Sequence, residues 1–398
     1  MSKPEARDPL TARSREERED IQRERRLHCP VARTPSGPWF VASHAGLREG
    51  LPRVDHFVGS FGNTGALSEE ETVLPGIPEP RHGRIRRIVN SVLAYHHVAE
   101  IERFVRELAE GYAEEILDSN REGDFVDLCE LIARPLPCAV IAHVLGIPTE
   151  DVTQFARWSD ELLANMGQDG GSRPLGELHP EFADYVDGQI HARHGVSDAP
   201  DDLVTRLLVT EVEGERLSPR AVRTQVINLI IAGNETTRNL IGNLFWRLAG
   251  DPELFARLRE EPALRTTAIE ESLRIDAPVQ LLARTCTVPV EVEGIAITPG
   301  DRVMFGVGSA NQDEKVYEDP LRFRLDRFRP REHSGFGAGP HLCPGAFLAR
   351  MEASAALDAL LARAGALHLD PGYRYDANPV PWALGPETLP VCVQAAAS

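Results

Sequence analysis

The sequence contains few lysines and a large excess of acidic side chains. Only Lys3 and Lys315 are lysines, so nearly all of the positive charge is carried by arginine. The 61 aspartates and glutamates outnumber the 43 lysines and arginines, which gives a formal net charge of −18. Because phosphate binding requires a basic surface, this balance argues against nucleic acid as the main partner.

Cysteine is also scarce, and long apolar runs are absent. The six cysteines are too few for a disulfide scaffold in a chain of 398 residues, and none lie in a CxxC pair, so a reducing compartment is expected. No run approaches about 18 apolar residues, and the N-terminal segment lacks the apolar core of a signal peptide. We therefore expect a cytoplasmic protein without a membrane anchor.

No internal repeat or low-complexity linker divides the chain. Ser14 and Glu17 have the spacing of a helix capping box. Residues 1–27 are therefore expected to form a charged N-terminal helix or tail, and residues 28–398 a single domain. Residues 39–41 predict a strand, and residues 288–307 alternate with period two around a Pro-Gly turn, which predicts a hairpin about that turn.

Helical periodicity dominates from about residue 84 to residue 165. Ser218 and Pro219 give the signals of a helix start and Gly250 supplies a stop, which predicts a long helix that ends near residue 249. Two further helices are predicted over residues 263–275 and 345–364. The fold class predicted from these elements is mostly α with a minor sheet.

A glycine-rich segment, FGAGPHLCPG over residues 336–345, comes directly before the last predicted helix. A dinucleotide-binding fingerprint fails here, because Leu342 stands where its third glycine belongs. The loop instead presents Cys343 at a helix N-terminus, where the helix dipole and nearby amides stabilise a thiolate. Such a thiolate is either a metal ligand or a nucleophile, for which His341 is the nearest candidate base.

The pattern FxxGxxxCxG in this helical context resembles the haem-ligand loop of the soluble bacterial cytochromes P450. The resemblance implies the cytochrome P450 fold, with a triangular helix-rich body and a small β-sheet part. It also implies haem b (iron protoporphyrin IX) with the Cys343 thiolate as the axial iron ligand, which donates electron density that favours O–O cleavage.

An ExxR pair, Glu271 and Arg274, lies on the predicted helix over residues 263–275. Taken alone, such a pair is usually an i,i+3 ion pair on a helix surface. Its position ahead of the hairpin and of Cys343 resembles the structural salt bridge that the family places under the haem loop. The resemblance makes Arg327 the candidate third member.

The middle of the long predicted helix contains Glu235 and Thr236, although threonine and glycine have low helix propensity. Without context this is a tolerated polar patch. By resemblance, Thr236 anchors the water that supplies protons to bound dioxygen, and Glu235 relays protons to it. The residues implied to line the substrate pocket are Ala232, Gly233, Val279 and Gln280. Gln280 is either a polar handle for the substrate or a side chain turned toward the protein.

The haem propionates are carboxylates and require cationic or hydrogen-bonding partners. Each residue matching the family at these positions would alone be an ordinary surface residue. The four that the resemblance assigns to the propionates are His82, Arg86, Arg284 and His341.

The function implied by the resemblance is haem-thiolate monooxygenation. One atom of O2 enters a lipophilic small molecule by hydroxylation or epoxidation, with electrons supplied by ferredoxin and ferredoxin reductase. Oxidative coupling or peroxide-driven oxidation within the same family is an alternative, and a non-catalytic haem-binding sensor is a less favoured one.

Two arginine-rich segments are candidate docking surfaces for an acidic ferredoxin. The alternative is that these arginines pair with neighbouring carboxylates and form a solvated face. The arginines concerned are Arg81, Arg84, Arg86 and Arg87 in the first segment, and Arg322, Arg324, Arg327, Arg329 and Arg331 in the second.

Overall fold

A computed structural model describes residues 7–12, 14–59, 67–93, 99–120, 124–148, 151–169, 173–211, 213–376 and 382–396. The chain divides into two units, each built from segments that are distant in sequence. The first unit comprises Met1–Ser60, Glu270–Cys343 and Ala377–Gly385. The second comprises Phe61–Ile269, Pro344–Asp376 and Pro386–Ser398.

The described helices are α1 (Arg15–His28), α2 (His44–Gly50), α3 (Arg81–Val92), α4 (Glu102–Ser119), α5 (Pro135–Leu145), α6 (Val152–Asp169), α7 (Leu175–Leu178), α8 (Pro180–His191), α9 (Leu203–Val209), α10 (Pro219–Gly250), α11 (Pro252–Glu260), α12 (Arg265–Ile275), α13 (Val307–Ala310) and α14 (Ala346–Arg363). The strands are β1 (Val31–Arg33), β2 (Trp39–Val41), β3 (Phe57–Gly59), β4 (Val126–Asp127), β5 (Leu281–Cys286), β6 (Val290–Val292), β7 (Ile295–Ile297), β8 (Arg302–Gly306), β9 (Ala364–Leu369) and β10 (Pro390–Ala395). Short 3-10 turns cover Glu69–Glu71, Leu74–Gly76, Pro262–Leu264 and Gly339–His341, and a π turn covers Cys129–Ala133.

The first unit is built on a five-stranded sheet in the order β1-β2-β8-β5-β3. Its β2–β8 pair is parallel and its other pairs are antiparallel. Phe57 and Phe305 pack edge to face with ring centroids 5.5 Å apart, in a core that buries Val41 and Val303 fully. The predicted strand over residues 39–41 is confirmed.

The predicted hairpin around Pro299 and Gly300 is wrong. The tight turn lies instead at Glu293 and Gly294, which both have positive φ and join β6 to β7. Pro299 and Gly300 lead from β7 into β8, which pairs with β5 and β2 in the larger sheet. The period-two pattern therefore marked strands correctly, but it does not identify their partners.

The second unit is organised around the long helix α10, which packs against α5, α8 and α14. Its predicted start is confirmed, since the Ser218 side chain accepts a hydrogen bond from the Ala221 amide at 3.2 Å. A small antiparallel sheet in the order β4-β10-β9 belongs to the same unit. Most α10 side chains are buried, so the helix is part of the core of the unit.

The charged N-terminal segment forms a helix, α1, capped as predicted by Ser14, whose Oγ accepts from the Glu17 amide at 3.1 Å. Arg15 pairs with Asp276, and Arg26 donates to the hydroxyl of Ser309 at 3.2 Å. The helix is therefore attached to the first unit by buried polar contacts. Among the helices of the described segments, none is both long and apolar enough to cross a bilayer.

One carboxyl of the second unit is buried without compensation. Glu352 lies in α14, and its Oε2 atom has no hydrogen-bond partner among the residues that the structure describes. Burial raises the pKa of Glu352 well above its ordinary value. The folded protein therefore holds this side chain as the neutral acid.

We predict that Glu352→Gln stabilises the protein and that the gain grows with pH. An unfolded glutamate ionises above about pH 4.3 while the folded one stays protonated, so wild-type stability falls with rising pH by up to about 1.4 kcal/mol per pH unit between the two pKa values. Thermal unfolding of both proteins from about pH 5 to pH 8 measures the difference. The exposed Glu260→Gln is the control, and a pH-independent difference for Glu352→Gln would contradict the prediction.

Candidate active site

The ExxR pair and its expected third member meet in the first unit. Arg274 donates from Nε and from a terminal nitrogen to the carboxylate of Glu271, at 2.8 Å each. Arg327 donates from Nε to both oxygens of the same carboxylate, at 2.7 and 2.9 Å. Glu271 and Arg274 are almost fully buried, so two guanidinium groups converge on one desolvated carboxylate.

This charge cluster also holds the irregular segment that leads to Cys343. Arg274 donates to the carbonyl oxygens of Asn311 and Pro320, at 2.8 Å each. The Asn311 side chain in turn accepts from the Ser334 amide at 2.7 Å. The backbone between residues 311 and 334 is therefore fixed by hydrogen bonds from buried side chains instead of by a regular ladder.

The glycine-rich loop folds back on itself just before α14. The Cys343 amide donates to the carbonyl of Phe336 at 2.9 Å, which closes the loop. Gly337 and Gly339 have φ values of 77° and 68°, a region that side-chain-bearing residues rarely adopt. Cys343 is half-buried at the end of this loop, three residues before the first residue of α14.

The other cysteines lie in different surroundings. Burial raises the pKa of the Cys129 and Cys138 thiols to about 12, which keeps them protonated and unreactive. Among the described residues, no group of three or more His, Cys, Asp or Glu side chains could hold a metal ion.

Arg284 is a buried cation in β5. Its terminal nitrogen NH1 donates to the Ala283 carbonyl at 2.8 Å, and its Nε is buried without a hydrogen-bond partner in the described part of the chain. Burial lowers the pKa of Arg284 to about 10, so the side chain remains charged at neutral pH. A buried guanidinium in this state is matched to an anionic ligand such as a propionate.

The two candidate pocket residues of the first unit are held by backbone contacts. Val279 forms an isolated bridge with Ala383. Gln280 is buried, and its side-chain amide donates to the Ala277 carbonyl at 2.8 Å. This geometry favours the second of the two alternatives for Gln280, a side chain turned toward the protein.

In the second unit, His82 and Arg86 lie one turn apart on α3. His82 is buried, and its Nδ1 lies 2.8 Å from a carboxylate oxygen of Glu79. Arg86 is half-buried. The predicted propionate residues are thus divided between the units, with Arg284 and His341 in the first and His82 and Arg86 in the second.

Near its midpoint, α10 presents one accessible strip of small residues. Ala232, Gly233 and Thr236 are exposed or half-buried, whereas the residues around them on the helix are mostly buried. The Thr236 hydroxyl donates to the Ala232 carbonyl at 2.6 Å, the back-bonding expected of a mid-helix threonine. The strip therefore combines steric room with one polar oxygen.

Glu235 precedes Thr236 on the helix and, unlike it, is buried. Asn239 donates to its carboxylate at 2.9 Å, and Arg238 lies 3.4 Å away. Burial raises the pKa of Glu235, and the two neighbours only partly offset this effect. The carboxyl is therefore able to hold and release a proton closer to neutral pH than an exposed glutamate.

Sequence reasoning missed the further contacts of Arg238. Its guanidinium lies 3.6 Å from Asp160 in α6 and 3.2 Å from Glu387, which precedes β10. The i,i+3 spacing of Glu235 and Arg238 was a usable signal for the first contact. The other two join segments that are distant in sequence, so no local pattern predicts them.

The arginine-rich segments are paired locally to a large extent. Arg324 bonds to Glu318 and Asp326, and Arg329 bonds to Glu332. Members of the first segment pair with glutamates in two other segments: Arg81 with Glu69 and Glu215, Arg84 with Glu213 and Glu215, and Arg87 with Glu213. This pairing favours a solvated face, although the Arg329 and Arg331 side chains remain largely exposed.

Comparisons of the whole chain with known proteins identify its family. The Cytochrome P450 family pattern matches residues 60–364. The Steroid C26-monooxygenase of Mycobacterium tuberculosis is 33% identical over 78% of this chain and 83% of its own length. The Vitamin D(3) 25-hydroxylase of Pseudonocardia autotrophica is 32% identical over 82% of this chain and 81% of its own.

A solved structure extends the comparison to the fold. The structure of CYP109E1 from Bacillus megaterium in complex with testosterone is 30% identical and superposes with a TM-score of 0.82, covering 94% of this chain and 98% of that one. The predicted fold class, mostly α with a small β-sheet part, is confirmed.

We predict that Glu271→Gln destabilises the protein by about 3–5 kcal/mol, because it leaves two buried guanidinium groups without their carboxylate. Denaturant unfolding measures the loss. Glu332→Gln removes the partner of Arg329 on an exposed surface and should cost less than about 1 kcal/mol. Equal losses in the two variants would contradict the structural importance of the buried cluster.

Proposed function

Because this chain belongs to the cytochrome P450 family of monooxygenases, we propose that it binds haem b through the Cys343 thiolate and inserts one atom of O2 into a lipophilic small molecule. The observation that carries this proposal is the closed loop that presents a half-buried Cys343 directly before α14. Hydroxylation is the reaction we favour, since the relatives named above are a monooxygenase and a hydroxylase.

Three features of the described residues fit a bound haem. Cys343 offers a half-buried thiol just before the α14 N-terminus, a position that favours the thiolate. Arg284 offers a buried positive charge suited to a propionate. Ala232, Gly233 and Thr236 offer an accessible strip without bulky side chains.

When bound, haem supplies oxygen activation, and a thiolate ligand favours cleavage of the O–O bond. We assign the iron ligand to Cys343. We assign the propionates to Arg284, His341, His82 and Arg86. The cluster of Glu271, Arg274 and Arg327 positions the loop and does not contact the reacting atoms.

Proton delivery is assigned to Glu235 and Thr236. The Thr236 hydroxyl donates to the Ala232 carbonyl, so its oxygen is left to accept a hydrogen bond from a water molecule. Glu235 lies one residue away, and its raised pKa allows it to replace the protons that this water gives up. Threonine holds the proton donor in place, and glutamate resupplies it.

We assign the lining of the substrate pocket to Ala232 and Gly233 of α10, and to Val279 and Gln280, which precede β5. Ala232 and Gly233 limit the polar groups available, which suits a lipophilic substrate. Val279 and Gln280 contribute shape, since the Gln280 amide is already bonded to Ala277. The names of the relatives, which refer to steroids and vitamin D3, support a lipophilic substrate.

Electrons and location are the remaining parts of the proposal. Monooxygenation consumes two electrons, which we assign to a ferredoxin and its ferredoxin reductase. The exposed side chains of Arg329 and Arg331 are available to an acidic partner even while they contact glutamates. All six cysteines are free thiols, which suits the reducing cytoplasm.

The iron-ligand assignment is tested by the Soret band of the reduced carbonmonoxy protein. Wild type should give the strongly red-shifted band of a thiolate-ligated haem, and Cys343→Ala should abolish it. Cys392→Ala is the matched control, because Cys392 is also a half-buried free thiol. A Cys343→Ala protein that keeps the band would refute the assignment.

The role of Thr236 is tested by the fate of oxygen. Thr236→Ala should still bind haem and consume NADH through a surrogate ferredoxin system, but the fraction of oxygen released as hydrogen peroxide should rise roughly tenfold, because no hydroxyl holds the proton-donating water. Thr237→Val, at the neighbouring buried position, is the control. Equal peroxide yields from wild type and Thr236→Ala would contradict the role.

A further inference from the structure

Arg238 is the centre of a charge cluster with an excess of acids. It contacts Glu235 on its own helix, Asp160 on α6 and Glu387 near the C-terminus, at 3.4, 3.6 and 3.2 Å. Arg134 lies 3.6 Å from Glu387 and also pairs with Glu130. Two guanidinium groups therefore face four carboxylates, and the neighbouring Cys129 is a neutral thiol because burial raises its pKa to about 12.

The charge balance favours retention of a proton within the cluster. Burial raises the pKa of both Glu235 and Asp160, and the carboxylate of Glu387 adds to this effect at each of them. Arg238 remains charged, since burial lowers its pKa but the three carboxylates raise it further. The carboxyl groups of Glu235 and Asp160, and not the guanidinium of Arg238, are therefore the groups that favour holding a proton.

Exposure to solvent changes steeply across the same cluster. The side chains of Glu235 and Arg238 are 1% and 5% exposed, whereas those of Asp160 and Glu387 are 41% and 42% exposed. One guanidinium thus connects a buried carboxyl near the middle of α10 with two carboxyls that bulk water reaches. A proton that Glu235 gives up has a solvent-accessible source within one residue's contacts.

We propose that Asp160 and Glu387 are the proton-uptake end of this cluster, and that Arg238 is the positioning residue that holds Glu235 in line with them. The inference rests on the proposed function, in which Glu235 resupplies protons. Monooxygenation consumes two protons and two electrons for each oxygen molecule, because one oxygen atom leaves as water. Asp160 or Glu387 takes each proton from solvent, water molecules between the carboxyl groups pass it on to Glu235, and Arg238 keeps its own protons throughout.

The test is the double variant Asp160→Asn/Glu387→Gln of the haem-loaded enzyme, with NADH and a surrogate ferredoxin system. Peroxide released per NADH should rise roughly threefold or more, and the solvent isotope effect on NADH consumption should increase, because the proton supply becomes limiting. Both effects should deepen with rising pH, as free protons become scarcer. The single variants alter half-exposed side chains and should fold, with smaller effects in the same direction.

Infrared spectroscopy gives a readout that does not depend on turnover. The carboxylic-acid C=O band that Glu235→Gln removes should titrate away at lower pH in the double variant, because two negative neighbours that favour protonation of Glu235 are gone. Arg238→Gln should shift this band the opposite way, and Arg238→Lys should restore most of the wild-type midpoint. A merely structural role for Arg238 would leave the midpoint unchanged.

Glu161→Gln is the matched control, because Glu161 follows Asp160 on α6 but contacts His179 at 2.7 Å instead of Arg238. If Glu235→Gln raises the peroxide yield while the double variant behaves like Glu161→Gln, the inference is overturned and the proposed function stands. If Glu235→Gln itself leaves the peroxide yield and isotope effect unchanged, the proposed role of Glu235 fails first.

Discussion

The buried carboxylate of Glu271 is the interaction on which the first unit most depends. It accepts hydrogen bonds from the guanidinium groups of Arg274 and Arg327 and from the Arg324 amide. A carboxylate removed from water is stable only when its oxygens are bonded. The cluster therefore holds α12 against an irregular stretch of chain. Arg274 also donates to the carbonyls of Asn311 and Pro320, which fixes part of the segment that leads to the loop of Cys343.

The second unit depends on the long helix α10, which packs against α5, α8 and α14. Within five consecutive positions, from Ala232 to Thr236, α10 presents small accessible residues and one buried carboxyl, that of Glu235. The Thr236 hydroxyl bonds to the Ala232 carbonyl four residues earlier, and the helix continues unbroken from Pro219 to Gly250. Glycine and threonine, which weaken an ordinary helix, here provide access and a hydroxyl in the same turn.

Sequence reasoning succeeded for interactions between residues that are close in sequence, and it failed for interactions between distant segments. The start of α10 was predictable because Ser218 and Pro219 act within one turn. The hairpin was predicted wrongly because β8 pairs with strands far away in sequence, which a period-two pattern cannot specify. Asp160 and Glu387 escaped for the same reason, as their shared partner Arg238 lies on a third segment. The loop of Cys343 was predictable because its glycines and cysteine are contiguous.

Arg284 and Glu352 are both buried, but burial has different consequences for the charge of an arginine and of a glutamate. Each has one buried polar atom, Nε of Arg284 and Oε2 of Glu352, that lacks a hydrogen-bond partner among the residues that the structure describes. Glu352 resolves its burial by keeping a proton, so it needs no ligand. Arg284 stays charged even with its pKa lowered to about 10, so an anion matches its buried guanidinium best. A buried glutamate avoids the cost of a buried charge by holding a proton, whereas a buried arginine keeps its charge, and this difference is why Arg284 and not Glu352 supports a propionate-bearing cofactor.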